Sequence, residues 1–264
     1  MHLDLTGKSA LVTASSEGIG FAIAQGLASS GATIILNGRS QEKLKKAEER
    51  LVALVPTATV RSFAVDLAQS TGCDALVEAT GPVDILVNNA GIYGPLDFFD
   101  TDDATWDRYW QTNVMSGVRL SRAYLPAMQD KDWGRIVFIA SESARNIPAD
   151  MIHYGVSKTA QLALSRGLAK RVAGSGITVN AVLPGPTLSD GFQAMMAEEM
   201  ARTGKTLETL AQEFIAANRP SSILKRAASV EEVANMVVYV CSPQASATTG
   251  AALRVDGGVV DDII

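Results

Sequence analysis

Residues 9–38 read SALVTASSEGIGFAIAQGLASSGATIILNG, and the order of patterns in this stretch decides the fold. SALVTA (9–14) is a short apolar run with β-branched members, bounded by a serine- and glycine-rich turn, which is the signature of a buried strand. Gly18-Ile19-Gly20 opens a helical pattern over 18–30, and TIILN (33–37) is a second strand. Two strands joined by a helix need a crossover, so they lie parallel with the helix covering one face.

Outward from this unit the alternation continues. TVRSFAV (59–65), VDILVNN (83–89), RIVFIAS (135–141), ITVNAVLP (177–184) and AALRVDGG (251–258) read as strands. Helical stretches fall at 40–55, about 69–79, 102–130, 152–174 and 229–242. The expectation is an α/β fold: a doubly wound, mostly parallel, seven-stranded sheet with helices on both faces. No linker, repeat or low-complexity segment interrupts it, so residues 1–264 read as a single domain. Residues 186–222 break the rhythm with two helical pieces and no strand, as a lid over a ligand site does.

Composition narrows the function. Of 264 residues, 47% are apolar and 19% charged, and the formal charge of −5 comes without a basic cluster, which argues against nucleic acid as a partner. No apolar run reaches the roughly 18–20 residues that span a bilayer. The N-terminus lacks the order of a secretory signal, and two distant cysteines, Cys73 and Cys241, form no framework, so the cytoplasm is the expected location. His2 and His153 are too few for a histidine metal site, and no metal is expected. His153 adjoins Tyr154, but neighbouring helical residues point about 100° apart, so it reads as lid-facing or structural.

Tyr154 and Lys158 stand four residues apart, on one helical face, with Ser141 thirteen residues before the tyrosine. An ammonium near a phenol favours the phenolate, and a serine hydroxyl alongside can bond a substrate oxygen. This is equipment for moving a proton on and off an alcohol or carbonyl. Upstream, the turn Thr13 to Gly20 opens a helix with its backbone N–H groups outward, which suits a pyrophosphate.

T-x-x-x-x-G-I-G at 13–20, N-N-A-G at 88–91, Asn113, Ser141, Y-x-x-x-K at 154–158 and P-G at 184–185 occur in the order of the short-chain dehydrogenase/reductase family. Over nearly the whole chain, from about residue 5 to Gly258, the sequence resembles that family and its 3-oxoacyl reductase-like branch. The resemblance implies a Rossmann-like fold and hydride transfer between a nicotinamide cofactor and a ketone or secondary alcohol. It implies Tyr154 as general acid or base, Ser141 on the substrate oxygen, and Lys158 on the nicotinamide ribose, lowering the tyrosine pKa. Asn113 is implied to order a water against Lys158. The implied cofactor contacts are Thr13, Ser15, Ser16, Gly18, Ile19 and Gly20 in the turn, Asn37 and Arg39 after the second strand, and Asp66 and Leu67 after the third. Asn89, Ala90, Gly91, Tyr154, Lys158, Pro184, Gly185, Thr187 and Ser189 complete the set. Ala14 replaces a glycine usual in the family, which predicts a slightly adjusted turn.

Gly38 stands where NAD-preferring members carry an acid, and Arg39 follows it, which favours NADP with NAD possible. Glu17 in the turn argues the other way. Ser141, Ser143, Ile147, Pro148, Met151 and Tyr154 are expected to line the substrate pocket. The lid carries Phe192, Met195, Met196, Met200, Leu207, Leu210 and Phe214. These residues point to a moderately apolar, free ketone or 3-oxo compound. A 3-oxoacyl thioester reductase and a sugar or polyol dehydrogenase stand as alternatives, with a non-catalytic dinucleotide-binding protein behind them. Asp132 and Ser175, at the places where relatives dock acyl carrier protein with basic residues, supply no positive charge. Helices 102–130 and 152–174, with the C-terminal run RVDGGVVDDII (254–264), suggest a homotetramer.

Overall fold

The computed structural model describes residues 3–263, so His2 and Ile264 lie outside the described residues. The central sheet is built from β1 (Ser9–Val12), β2 (Thr33–Gly38), β3 (Val60–Ala64), β4 (Ile85–Asn88), β5 (Gly134–Ile139), β6 (Ile177–Pro184) and β9 (Ala252–Val255). Their order is β3-β2-β1-β4-β5-β6-β9, every pairing is parallel, and all seven expected strands are present. Around them lie α1 (Gly18–Ser29), α2 (Gln41–Leu54), α3 (Ser70–Thr80), α4 (Asp103–Tyr109), α5 (Ser116–Asp130), α6 (Ile152–Arg171), α7 (Asp190–Thr203), α8 (Leu207–Asn218) and α9 (Val230–Cys241).

Period-two alternation sends both faces of the central strands into a core. Ala10 and Val12 of β1, with Ile34 and Leu36 of β2, pack into one apolar layer with residues of α1, α2 and α9. Leu11 and Ile35 point the opposite way, into a second layer with Leu120, Tyr124 and Met128 of α5. A strand buried on both sides has no polar face, which is why these runs read as continuously apolar.

Two expectations are corrected. The excursion 186–222 does contain a strand, the two-residue β7 (Thr187–Leu188), paired in parallel with β8 (Ala228–Ser229) outside it. Two residues are too few to show a periodicity. The expected helix 102–130 is three pieces, because a wider π-helical turn, Trp110–Met115, separates α4 from α5. Such a turn rotates the side chains that follow it, and Asn113 sits inside it.

From β1 the chain winds outward through β2 and β3, then returns to β4 on the other side of β1. The two departing connections leave a crevice above the carboxyl ends of β1 and β4, where ligands of open α/β sheets bind.

Candidate active site

The residues that leave these strands are cross-tied before they meet anything else. Thr13 Oγ1 accepts hydrogen bonds from the N–H groups of Asn89 and Ala90, both at 2.8 Å, and donates to the Val87 carbonyl. Asn89 Nδ2 in turn donates to the carbonyls of Thr13 and Ala14 at 3.0 Å. Ser15 Oγ donates to Val12 O and accepts from the Asn37 N–H, while Asn37 Nδ2 donates to Phe63 O and Val65 O. Thr13, Ser15 and Asn37, expected as cofactor contacts, are therefore buried ties between strands whose side-chain groups are already engaged. Leu67 is likewise buried in the second core layer. Ser16, Arg39 and Asp66 are solvent-accessible at the same edge, and Asp66 Oδ1 accepts from the Ala68 N–H.

Ala14 keeps the left-handed backbone that its position demands, at φ 49°. An L-residue pays about 1–2 kcal/mol there relative to glycine, so the turn is conserved in shape at a local cost. Gly18, at φ 60°, and Gly20 make the cradle. A Cβ on Gly20 would stand 2.4 Å from Ala14 O and 2.6 Å from Asn89 Nδ2. The Gly18 N–H already donates to an anion, Asp190 Oδ2 at 2.7 Å, from the first turn of α7. Glycines that keep the backbone bare and an N–H that donates to a carboxylate fit the pyrophosphate of a dinucleotide.

Beyond the turn, a cavity of about 360 Å³ opens between the sheet edge and α7–α8. Gly18, Ile19, Gly20, Asn89, Gly91, Ser141, Ser143, Met151, Tyr154, Lys158, Pro184, Gly185, Thr187 and Ser189, all named from the sequence, line it. Ile147 does not. It is 45% exposed and packs over Gly155 of α6, where a Cβ would lie 2.5 Å from its Cγ2. Ala90 and Pro148 are also absent from the wall. Thr187 and Ser189 have local duties: Thr187 Oγ1 donates to Gly185 O, and Ser189 Oγ caps α7 by accepting from the Phe192 N–H.

Tyr154 and Ser141 face the same cavity, and the Tyr154 ring lies 6.2 Å from that of Tyr93. Burial holds the Tyr154 phenol above the ordinary tyrosine range, against the pull of the Ser141 hydroxyl. Lys158 Nζ lies 5.6 Å from the Tyr154 ring centroid and donates to Ile139 O at 2.8 Å and to Gln161 Oε1 at 3.2 Å. Burial pushes the lysine down to about 7. The expectation that Lys158 lowers the tyrosine pKa is thus not met in this arrangement, because desolvation dominates both groups.

Asn113 is a structural clasp. Its Oδ1 accepts from the Ile92 N–H at 2.8 Å, and its Nδ2 donates to Ile92 O and to Ser157 Oγ. Its backbone carbonyl accepts from Gln161 Nε2 at 2.5 Å. Gln161 links this carbonyl to Lys158, because its Oε1 accepts from Lys158 Nζ. His153 is structural as expected, packed edge-on at 4.4 Å against Tyr109, with its pKa lowered by burial.

Several wall residues carried no sequence signal. Lys43 of α2 binds Glu17 at 2.9 Å, so the carboxylate that argued against NADP is already partnered. Arg39 has no ion pair among the described residues. Arg219 and Asn218 at the end of α8, with Glu142 and Asp150, put charge and polarity where mainly apolar residues were expected. Phe192, Met195 and Phe214 do reach the cavity, whereas Met196 and Leu207 pack within the lid.

The profile of a family described as enoyl-(acyl carrier protein) reductase matches residues 13–260. The uncharacterised oxidoreductase YvaG of Bacillus subtilis (strain 168) is 44% identical over 263 residues, 100% of both chains. D-beta-hydroxybutyrate dehydrogenase of Rhizobium meliloti (strain 1021) is 31% identical, over 95% of this chain and 98% of its own. Among solved structures, L-sorbose reductase from Gluconobacter frateurii, complexed with NADPH and L-sorbose, aligns with a TM-score of 0.93 and 35% identity over 100% of both chains.

Proposed function

This chain belongs to the short-chain dehydrogenase/reductase family, and on that premise we propose an NADP-preferring reductase of free small ketones, acting through Tyr154. Its class, an NAD(P)-dependent oxidoreductase of CH–OH and carbonyl groups, follows from the family. The observation that carries the finer reading is the convergence of Ser141, Tyr154 and Lys158 on one cavity at the carboxyl edge of the sheet.

A nicotinamide dinucleotide, when bound, supplies or accepts the hydride. Tyr154 holds a proton on its phenol, and Ser141 beside it fixes a carbonyl oxygen within reach of that proton. A phenol held protonated is the form that carbonyl reduction needs. Lys158, behind the tyrosine, would steady the ribose, and the Ala14–Gly20 turn would take the pyrophosphate.

The NADP preference rests on Arg39, exposed and without an ion pair among the described residues, and on Glu17 being held by Lys43. A free substrate is favoured over a carrier-bound one because Asp132 and Ser175 serve the turn before β6. Asp132 Oδ1 accepts from Gly176 N–H, and Ser175 Oγ donates to Val172 O. We read the chain as one catalytic domain with a lid, working in the cytoplasm as a homotetramer. Exposed Trp110, in the turn before α5, and Val156, on α6, support that assembly.

Loss of NADPH absorbance with a ketone panel tests the activity. Tyr154→Phe should keep cofactor affinity while turnover falls about 10²–10⁴-fold. Near-normal turnover in that variant would remove Tyr154 as the acid. Calorimetry with both cofactors should show tighter NADP binding, and Arg39→Ala should weaken NADP about tenfold while barely moving NAD. Tighter NAD binding by the unaltered protein would reverse the preference.

A further inference from the structure

Lys158 lines the cavity, but one of the residues that hold it lies behind the wall. Gln161 follows Lys158 by about one helical turn on α6 and is 1% exposed. Its Oε1 accepts from Lys158 Nζ at 3.2 Å, and its Nε2 donates to the Asn113 carbonyl at 2.5 Å. The other acceptor on Nζ is the Ile139 carbonyl, at the end of β5, at 2.8 Å. No carboxylate pairs with Lys158 among the described residues, so both oxygens that hold the amine are neutral.

An amide in this place has one workable orientation. A lysine ammonium offers donors alone and a carbonyl accepts alone, so a reversed amide would set nitrogen on nitrogen and oxygen on oxygen. A buried amide is unfavourable unless its groups are paired, and an apolar side chain of the same length would fill the space without that requirement. Here the amide ties α6 to the π-helical turn that carries Asn113, and Asn113 is itself clasped to Ile92. Nζ is thereby held from two sides, by β5 and by Gln161. Of the three N–H groups of an ammonium, one remains without an acceptor among the described residues.

On the reading of Lys158 as the residue that steadies the nicotinamide ribose, we propose that Gln161 is its positioning residue, fixing Nζ in place and supplying an oxygen that favours the ammonium over the amine. Burial pushes Lys158 down to about 7, and an acceptor on the charged form opposes that push. The other titratable or charged groups on the cavity wall are Glu17, Tyr93, Glu142, Asp150, Tyr154 and Arg219. Glu17 and Glu142 are engaged by Lys43 and Arg219, and burial is the one cause that moves the lysine. Gln161 itself touches neither substrate nor cofactor in this arrangement. It acts through Lys158.

The test follows Lys158 directly and then through the reaction. In cofactor-free protein isotope-labelled at lysine Cε, the NMR resonance of Lys158 is the one missing from Lys158→Met. Its titration midpoint should fall by about one pH unit in Gln161→Met, which keeps the length of the side chain without the acceptor. Gln161→Glu keeps an oxygen on Nζ and should hold the midpoint or raise it. The pH profile of kcat/KM for NADPH reports the free enzyme, and it should fall as pH rises through the same midpoint, because an anionic cofactor favours the ammonium. In Gln161→Met that limb should move down with the resonance, leaving kcat/KM about tenfold lower above the midpoint. A midpoint unmoved in Gln161→Met, or lowered equally in Gln161→Glu, overturns the proposal and leaves the reductase standing. A resonance that moves while the limb stays in place overturns the reading of Lys158 on the cofactor, and the proposal with it. Should Gln161→Met fail to fold, the unaltered protein labelled at its glutamine side-chain nitrogens still decides. One amide should titrate with the Lys158 midpoint and cease to titrate in Lys158→Met, and the absence of such an amide overturns the proposal.

Discussion

Around Thr13, Asn89, Asn113 and Lys158 the floor of the cavity is a closed mesh of buried hydrogen bonds, whereas its roof, α7 and α8, rests on the sheet through contacts at its edges. Asn113 alone engages Ile92 twice, Ser157 and, through its carbonyl, Gln161. The roof has a small core of its own, Phe192, Ala211, Ile215 and Ala227. It meets the rest through the two-residue β7–β8 ladder, the Asp190–Gly18 bond and the Arg219–Glu142 pair. Groups tied to several partners at once resist displacement. An element with few buried contacts opens at low free-energy cost.

The sharpest way to break this contrast is at the floor. Asn113→Ala removes three side-chain hydrogen bonds and leaves the part-buried N–H and carbonyl of Ile92 without their partner, while Ser157 Oγ keeps only its bond to Tyr154 O. It should lower the unfolding free energy by about 2–4 kcal/mol and reduce turnover as well. Urea unfolding measures the first, and a change below about 0.5 kcal/mol would show that the mesh is not cooperative.

Lys158 gives the floor a pH signature. Its pKa is about 7 in the folded protein against an ordinary 10.5, so between those values the unfolded chain binds more protons. Stability should therefore rise with pH from about 7 towards 10.5, at up to about 1.4 kcal/mol per unit, with the full penalty present below 7. Denaturation of cofactor-free protein at pH 6.5 and 9.5 checks it by comparison with Lys158→Met, roughly the span over which the effect develops. The unaltered protein should gain on the variant as pH rises, and parallel curves would mean that Lys158 stays charged.

The smallest effect belongs to the roof. Asp190→Asn removes a carboxylate from the N–H that a pyrophosphate would use. NADP affinity should rise about two- to fivefold at low salt, and the gain should shrink at high salt, as for an exposed charge. Weaker binding would mean that Asp190 holds the roof in its working position.

The glycine turn and the Tyr154–Lys158 spacing were legible because one helix or one turn carries them whole. Thr13, Ser15 and Asn37 were legible as positions, but not their side-chain ties between strands, since a hydroxyl or amide at a strand end serves a ligand or a neighbouring strand equally well. Ile147 was placed on the wall by its nearness to Ser141 in sequence, but the 3₁₀ turn Glu142–Ala144 carries the chain outward before it returns to α6. Arg219 gave no signal, because it lies 77 residues from Glu142 and in no recognisable pattern.

By itself the sequence determined the parallel sheet, the crevice at its carboxyl edge and the one-face spacing of Tyr154 and Lys158. Periodicity and short spacings act over a few residues, and backbone geometry turns them directly into faces and turns. Only the tertiary structure decided which polar groups were already partnered and which remained for a ligand. Partnership at Glu17, Asn113 and Glu142 is settled by residues 21 to 77 positions away or more locally by burial, and burial is a property of the packed whole.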